Sequence, residues 1–268
     1  MKSMWKWARK ALLVLITAAP ALAQETITVL TYNINYGLDP KGYSNLLRVA
    51  QLIRQYKPDL VAIQETDSAT LRSYRRNQIR QLAGLTGMQY AFAGADSYEG
   101  GRIGLGVLSR YPIIAHNRVL LPNPDSLAPR ILQDAYVELP DGRSIRFTNT
   151  QLEPKSFVNR GVQLATLRQV LGNSIQPIIW AGDLSTDPED PIVVKLRENW
   201  DDAGADARQP TIHNSGARTD YILTLRGAEF ELVRYRVLNE PTIAPHLPVL
   251  VKYRLKNSAS PPSKQQRQ

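Results

Sequence analysis

Short apolar runs of strand length, each with polar residues at one end, recur between residues 26 and 248 and constrain the fold more than any other feature of the chain. The polar residues form five islands: Thr31-Tyr32-Asn33, Gln64-Glu65-Thr66, Gly182-Asp183-Leu184-Ser185, Arg218-Thr219-Asp220-Tyr221 and Pro245-His246-Leu247-Pro248. A short apolar run bounded by turn signals is typical of a buried strand. Because the termini of neighbouring strands lie together at one end of a sheet, we expect the five islands to face one common cleft.

Strands and helices alternate along the chain. Residues 26–33 read as a strand, apolar residues then recur at helical spacing over residues 46–53, and a second strand follows over residues 59–64. This order predicts a layered α/β fold in which the helix covers one face of a sheet. The turn Pro140-Asp141-Gly142 lies between two apolar runs and predicts a hairpin, so the sheets are expected to be mixed.

The remaining pattern predicts further elements of both kinds. Helices are predicted over residues 71–85, 158–171 and 191–198, and strands over residues 89–93, 104–109, 113–120, 134–139, 144–150, 178–181, 220–225, 229–238 and 249–255. No internal repeat or change of composition divides residues 24–255, which predicts one domain. Residues 256–268 lack apolar periodicity and are predicted to form a disordered basic tail.

The first 23 residues have the three parts of a secretory signal peptide. Basic residues precede an apolar stretch over residues 11–19, and Ala21-Leu22-Ala23 provides a small-residue cleavage site. We therefore expect export to the periplasm or out of the cell, with a retained N-terminal anchor as the alternative. The apolar stretch is far shorter than the ~20 residues of a membrane-spanning helix, so no integral membrane segment is expected in the mature chain.

Composition excludes several classes of site. The chain has no cysteine, which excludes disulfides, thiolate metal sites and thiol nucleophiles. Stability must therefore come from burial, and a domain of this size buries roughly 70% of its unfolded surface. Loss of residues 1–23 removes four positive charges and lowers the formal charge from +9 to +5. A basic surface favours phosphate-bearing partners, although it is also ordinary for an exported protein.

Glu65, Asn33 and Asp183 are candidates for phosphoester chemistry. Hydrolysis of a phosphoester needs a divalent cation, a group that activates water, and donors for the developing negative charge. Glu65 ends a strongly apolar run where an unpaired carboxylate would be costly, and hard cations prefer oxygen ligands. Asn33 offers an amide, and Asp183 follows the buried-type strand over residues 178–181. The alternative for each is a solvated strand-end or turn residue.

Asp220 and His246 complete the candidate set. The chain has three histidines, and His246 is the one that stands in the segment APHLPV, where two prolines fix the local backbone. A purely structural histidine is the alternative at this position.

Seven segments resemble, in order and at similar separations, the motifs of the endonuclease/exonuclease/phosphatase superfamily, whose fold is similar to that of pancreatic-type deoxyribonuclease. These segments are TYNIN, IQETD, GVLSRYPI, FTNTQL, WAGDLS, RTDYIL and APHLPV. The resemblance covers residues 26–255. Seven weak motifs in the right order are more specific than one strong motif.

The resemblance implies an α/β (α+β) four-layer sandwich, with two mixed β-sheets packed face to face and helices on the outer faces. It also implies a phosphoesterase site that uses Mg²⁺ or Mn²⁺. Glu65 is then similar to the principal metal ligand, and Asn33 to a metal or phosphate neighbour. Asp183 is implied to orient or deprotonate the water, Asp220 to support the site, and His246 to contact the scissile phosphate or act as acid or base.

Two substrate-binding positions depart from the family pattern. Gln151 stands where the family usually has a histidine, and Ser185 stands where it has an asparagine. Both keep hydrogen-bonding groups, but Gln151 does not carry a titratable proton. Together with Arg130, which resembles a phosphate-binding arginine of the family, they are the expected substrate-binding residues.

A third departure concerns the histidine. Pro245 replaces the aspartate that precedes this residue in the family pattern. The loss of that carboxylate is expected to loosen the orientation of His246 and to lower its imidazole pKa, unless Glu240 or Asp187 replaces it in space.

The resulting expectation is an exported, metal-dependent phosphodiesterase that acts as a monomer on a phosphate-bearing substrate, foremost nucleic acid. A lipid phosphodiesterase or phosphoinositide phosphatase is the first alternative. Such an enzyme is expected to carry an exposed apolar or aromatic loop, for which the candidate segments are SYEGGRIG and LLPNPDSLAP. A catalytically weakened phosphate-binding protein is the second alternative, motivated by Gln151, Ser185 and Pro245.

Overall fold

Two six-stranded β-sheets form the centre of the computed structural model, which describes residues 26–207, 209–227 and 229–256. In sheet order, the first sheet contains β11 (Phe230–Val237), β12 (Val249–Leu255), β1 (Thr26–Asn33), β2 (Leu60–Ser68), β4 (Gly101–Ser109) and β3 (Gln89–Tyr98). The second contains β5 (Ile113–Leu120), β6 (Ile131–Glu138), β7 (Ser144–Gln151), β8 (Ile178–Asp183), β10 (Asp220–Leu225) and β9 (Trp200–Asp202). The predicted signal peptide and all but the first residue of the predicted tail lie outside the described residues.

Both sheets are mixed, as predicted. β1 pairs with β2 in parallel, β7 pairs with β8 in parallel, and the other pairs are antiparallel. Parallel neighbours need a crossover connection, and helices supply it. The four α-helices among the described residues are α1 (Leu46–Tyr56), α2 (Gln78–Thr86), α3 (Phe157–Gly172) and α4 (Pro191–Leu196). The connection from β1 to β2 contains α1, and the connection from β7 to β8 contains α3.

Alternation along the strands divides the buried side chains among three layers of core. Val29 of β1 packs with Phe147 of β7 between the two sheets, whereas the next residue, Leu30, faces α1 and α2. On the second sheet, Trp180 faces α3 and α4 in the same way. Successive strand residues point to opposite faces, so each sheet is covered on both sides. The predicted four-layer α/β sandwich is confirmed.

The helix predicted over residues 71–85 is wrong in its first half, because α2 begins only at Gln78. The segment before it forms a tight turn in which Tyr74 and Arg75 have positive φ angles of 52° and 59°. The Ser73 hydroxyl donates to the Thr70 carbonyl at 3.0 Å, and such side-chain bonds compete with helical pairing. Strand β9 is an element that the sequence pattern did not predict. No helix within the described residues has the length and hydropathy needed to cross a membrane.

Candidate active site

Three polar residues lie side by side where neighbouring strands of the second sheet end. Gln151 of β7 is in register with Asp183 of β8, and Asp183 is in register with Asp220 of β10. Gly182 allows this close pairing, because its φ is 152° and a Cβ there would lie 2.1 Å from the Thr150 carbonyl oxygen. The apolar strand β8 is completely buried, and the Asp183 carboxylate lies at its C-terminal end. The register thus places Asp183 and Asp220, two of the residues from the predicted strand-end islands, side by side.

Asn33 and Glu65 reach the same region from the first sheet. Asn33 ends β1, and its Nδ2 donates to Oδ2 of Asp183 at 3.3 Å. Glu65 sits in a β-bulge of β2, where the pairing with β4 shifts register, and its φ is 50°. A bulge turns a side chain away from the regular alternation of the strand. As a result, Oε1 of Glu65 accepts from Nε2 of Gln151 at 2.7 Å.

The candidate site therefore lies on the seam between the two sheets. Each of the bonds from Asn33 to Asp183 and from Gln151 to Glu65 joins a residue of one sheet to a residue of the other. Nε2 of Gln151 is also 3.4 Å from Oδ2 of Asp183, so one amide donor serves two carboxylates. Glu65 and Asp183 are thus neighbours across the seam, separated by a single amide group.

His246 is oriented by Asp220, which corrects the expectation drawn from Pro245. Nδ1 of His246 lies 2.9 Å from Oδ2 of Asp220, so a carboxylate distant in sequence supplies the orienting partner. Neither Glu240 nor Asp187 has this role. Burial lowers the pKa of the His246 imidazole, but the charge and hydrogen bond of Asp220 outweigh burial and raise the pKa from 6.5 to about 10. The expected lowering of this pKa is therefore wrong.

The pKa values of Asp183 and His246 give the two groups opposite charges at neutral pH. Burial and the nearby charge of Asp220 raise the pKa of the Asp183 carboxyl from 3.8 to about 6. Asp183 is almost completely buried, whereas the His246 side chain is 16% exposed. A carboxylate whose pKa lies near neutrality can act as a base, and a neighbouring imidazolium whose pKa lies far above neutrality can act as an acid.

The charge on His246 is directly testable in the metal-free protein. We expect the ring to remain protonated at pH 8 and to deprotonate near pH 10. Because the folded pKa exceeds 6.5, this protonation contributes stability that is complete below about pH 6.5 and is lost as the pH rises towards 10. Asp220→Asn should lower the His246 pKa clearly, because burial is then opposed only by the charges of Asp183 and Glu65.

The measurement is an NMR titration of the imidazole carbon shifts in the presence of a chelator. His116 is the internal reference, because burial lowers its pKa below 6.5 and it should be neutral at pH 8. Titration of His246 at the same pH in wild type and in Asp220→Asn would contradict the assigned pairing.

Gln151 is held in place by a chain of charged residues. Nη1 of Arg130 donates to Oε1 of Gln151 at 3.1 Å, which leaves the Nε2 group directed at Glu65 and Asp183. Nε and Nη2 of Arg130 both lie 3.3 Å from Oε2 of Glu153, a residue that is almost fully buried. Arg130, predicted to bind phosphate, is therefore engaged with Gln151 and Glu153 in this structure.

Ser185, predicted to bind substrate, contacts Asp183. Its backbone N–H donates to Oδ1 of Asp183 at 2.8 Å, and its hydroxyl donates to the Leu152 carbonyl at 3.1 Å. The φ of Ser185 is 52°, which folds the loop back onto the strand end. The residue fixes the orientation of the Asp183 carboxylate.

The donor set suits a divalent cation. One ligand atom from each of Asp183, Asp220 and His246 lies within 4.8 Å of the others. Oδ1 of Asp220 is buried and has no hydrogen-bond partner, and a buried carboxylate oxygen without a partner is costly unless a cation or water occupies it. Hard cations take oxygen ligands of this kind. Asp183 and Asp220 would hold the cation, and Glu65, the predicted principal ligand, is the next carboxylate across the seam.

A small hollow opens beside these residues. It has a volume of about 60 Å³, and its lining includes Glu65, Gln151 and Arg130 on the polar side and Tyr36 and Ile103 among the less polar residues. The Arg72 guanidinium stacks on the ring of Tyr36, one of the lining residues, at 3.9 Å from the ring centre.

Two residues that position the site were not predicted. Glu153 anchors Arg130, and Thr211 accepts from the backbone N–H groups of Thr219 and Asp220 at 2.9 and 3.1 Å through its Oγ1. Thr211 also accepts from the backbone N–H of Leu247 through its carbonyl, so it ties Asp220 to the segment that carries His246. The position of Glu153 two residues after Gln151 was an available signal, whereas nothing in the sequence marks Thr211.

Comparisons with known proteins agree with this arrangement. A family profile described as Endonuclease/Exonuclease/phosphatase family matches residues 30–241. Protein cwh43 of Schizosaccharomyces pombe is 29% identical over 163 residues, which are 59% of this chain and 16% of that protein. The chain therefore spans only a small part of the curated relative that it matches.

Solved structures share the fold. An endonuclease/exonuclease/phosphatase from Beutenbergia cavernae DSM 12333 has a TM-score of 0.71 and 24% identity, with 86% of this chain and 72% of that chain covered. A mannosyl-6-phosphatase of Bacteroides thetaiotaomicron VPI-5482 has a TM-score of 0.70 and 18% identity, with 85% and 99% covered. At these identities the likeness shows the fold alone.

Proposed function

The chain belongs to the endonuclease/exonuclease/phosphatase family, and from that membership and the site geometry we propose that it is a divalent-cation-dependent phosphoester hydrolase. The membership confirms the resemblance found in the seven motifs. The observation that carries the proposal is the meeting of Asp183, Asp220 and His246, whose ligand atoms lie within 4.8 Å of one another although the residues come from distant parts of the chain. Mg²⁺ or Mn²⁺ is the proposed cation.

The residues of the site can divide the chemistry among them. A bound divalent cation would neutralise phosphoryl oxygens and lower the cost of negative charge in the transition state. The Asp183 carboxylate can accept a proton from water, since its raised pKa still leaves it largely ionised at neutral pH. Asp220 holds Nδ1 of His246, which leaves Nε2 as the ring nitrogen that can donate a proton or hydrogen bond to the phosphoryl group or leaving group.

The Gln151 amide adds a neutral donor to this set. In the absence of substrate it donates to Glu65 and to Asp183. A donor that does not ionise can hold a phosphoryl oxygen at any pH, but it does not transfer a proton. This distribution assigns all proton transfer to Asp183 and His246 and leaves Gln151 a binding role.

The proposal predicts hydrolysis that depends on a divalent cation. Both sheets are formed by strands between Thr26 and Leu255, so the chain from Gln24 onward contains both sheets and is the form to assay. We expect turnover of a chromogenic phosphodiester, DNA or RNA with Mg²⁺ or Mn²⁺ and loss of turnover when a chelator is added. Absence of turnover on every substrate, together with tight binding of phosphate compounds, would favour the weakened binding protein.

Nucleic acid is the first substrate class that we propose within this reaction. The mature chain has a formal charge of +5, which attracts polyanions. The binding-protein alternative is less favoured than the sequence suggested, because Asp220 supplies the carboxylate that Pro245 removes. A lipid phosphoester is the second candidate. It is favoured by exposed side chains in the two candidate segments, Tyr98 in SYEGGRIG and Leu120 and Leu127 in LLPNPDSLAP, since both segments contribute to the lining of the hollow. The same assay with phospholipid and phosphoinositide substrates separates the two classes.

We further propose that the protein is exported and acts as a monomer. Residues 1–23 carry the signal pattern, and N-terminal sequencing of the protein from the producing cell should begin at Gln24. Light scattering of the purified chain should give a mass no larger than the 30.0 kDa of the full sequence. A mature protein that keeps residue 1, or a mass twice as large, would contradict these two proposals.

A further inference from the structure

Four large side chains stand exposed around one groove on the helical side of the first sheet. Tyr43, Leu47, Leu71 and Tyr74 are 70%, 66%, 58% and 83% exposed. They line a groove of about 980 Å³ that lies between the beginning of α1 and the turn before α2. Single exposed apolar residues are ordinary, but a group of them around one concave surface is typical of an interaction site.

The turn that carries Leu71 and Tyr74 is held rigidly. The Arg72 guanidinium makes two bonds to the buried Asp67 carboxylate, at 2.6 and 2.9 Å. The Ser73 hydroxyl lies within hydrogen-bonding distance of carbonyls on both sides of the turn, and the backbone N–H of Tyr74 donates to the Leu71 carbonyl at 2.8 Å. Tyr74 has a φ of 52°, a conformation that persists only where the surrounding structure enforces it. The backbone that carries Leu71 and Tyr74 is therefore held in one conformation.

Uncompensated positive charge lies beside the apolar side chains. Arg76 and Arg80 also line the groove, are exposed, and have no carboxylate partner among the described residues. The acidic side chains of this face are already bound: Asp39 by Arg48, Asp67 by Arg72, and Glu99 by the backbone N–H of Arg72. We call the set Tyr43, Leu47, Leu71, Tyr74, Arg76 and Arg80 the Tyr74 surface.

We propose that the Tyr74 surface docks the protein onto an anionic phospholipid bilayer. Tyrosine prefers the boundary between headgroups and acyl chains, leucine inserts below it, and arginine is attracted to anionic headgroups. Nucleic acid is the competing polyanion, and it would use the arginines and tyrosines. The two leucines favour the bilayer over nucleic acid. An exposed leucine is stabilised when it enters an acyl layer, whereas it forms no specific contact with a base or a phosphate.

Docking in this way brings the candidate site close to the bilayer. Arg72 lies within the docking turn, and its guanidinium stacks on Tyr36, which lines the hollow that contains Glu65. The stacked pair of Arg72, which lines the groove, and Tyr36 thus connects the groove to the hollow. The proposal concerns binding alone and does not rest on the proposed hydrolysis.

Vesicle co-sedimentation with a chelator present tests the proposal. The chain from Gln24 onward should bind vesicles of phosphatidylcholine and phosphatidylglycerol and bind phosphatidylcholine alone much more weakly. Replacing Leu71 and Tyr74 together by serine should weaken binding by about tenfold or more, because apolar burial is lost. Arg76→Ser and Arg80→Ser should each weaken it by about fivefold, and higher salt should reduce the effect of these two changes.

The matched control lies on strand β11, where Leu232 is 46% exposed and Arg234 is also exposed. The pair Leu232→Ser and Arg234→Ser removes the same kinds of side chain and should leave vesicle binding unchanged. Tyr74→Trp provides a second measurement that tolerates weak binding: its fluorescence should shift to shorter wavelength when anionic vesicles are added.

Three outcomes would overturn the proposal. The first is wild-type protein that stays in solution with anionic vesicles and Tyr74→Trp fluorescence that does not shift. The second is equal loss of binding in the β11 control. The third is a set of Tyr74-surface variants that lose affinity for a single-stranded oligonucleotide but keep their affinity for vesicles.

Discussion

Asp183→Asn is expected to lower kcat by about 10²- to 10⁴-fold while the fold is retained. Oδ1 of Asp183 accepts from the backbone N–H of Ser185, and Oδ2 accepts from Nδ2 of Asn33 and Nε2 of Gln151. An asparagine has nearly the same size, but it turns one oxygen into an NH₂ group that faces donors. The substitution also removes the carboxylate that can accept a proton and hold a cation.

The measurement compares kcat with saturating Mg²⁺ on whichever phosphoester wild type cleaves best. Asp187→Asn is the matched control, because Asp187 is exposed in the loop that follows the same strand. Thermal melting shows whether the site or the fold has changed, and we expect a melting temperature within about 5 °C of wild type. A kcat reduced less than tenfold would remove Asp183 from the chemistry.

Asp202→Ala is expected to lower the free energy of unfolding by about 3–5 kcal/mol. The Asp202 carboxylate has no exposed surface and binds Nη1 of Arg218 and Nη2 of Arg197, both at 3.0 Å. Arg218 is itself only 5% exposed, so loss of Asp202 leaves a buried guanidinium without its counter-charge. The guanidinium also lies over the Tyr221 ring, at 4.4 Å from its centre.

Urea unfolding of the two variants Asp202→Ala and Asp201→Ala measures this difference. Asp201 is the adjacent residue, and it pairs with Arg226 at 3.4 Å with both side chains 59% exposed. Solvent screens such a pair, so Asp201→Ala should cost no more than about 1 kcal/mol. Equal losses of unfolding free energy in the two variants would mean that the buried pair of Arg218 and Asp202 stabilises the fold no more than the exposed pair does.

The gathering of the site at strand ends could be predicted, because it follows from period and length alone. Apolar runs that end in Asn33 and Asp183, and one that begins at Asp220, become strands whose termini meet at one end of the sheets. The family motifs added the order of the segments. Together these patterns were enough to predict the two mixed sheets and the helices that cover them, since both depend on local alternation and on crossover connections.

The side-chain pairings could not be predicted, because they join residues far apart in sequence. The bond from His246 to Asp220 reversed the pKa that its neighbour Pro245 suggested. The bulge at Glu65 and the positive φ angles before α2 depend on tertiary contacts that override local preference. Arg130 likewise resembled a phosphate ligand, but the buried Glu153 engages it.

The location of the candidate site between the sheets has a thermodynamic consequence. Asn33 and Glu65 belong to one sheet, and Asp183 and Gln151 to the other, so any molecule held by both sets acts as a non-covalent cross-link. Such a cross-link forms only in the native state, and its occupancy shifts the unfolding equilibrium by mass action. At a ligand concentration a hundred times its Kd the gain is about 2.7 kcal/mol. Ligand binding in the cleft can therefore be measured through the increase in the free energy of unfolding.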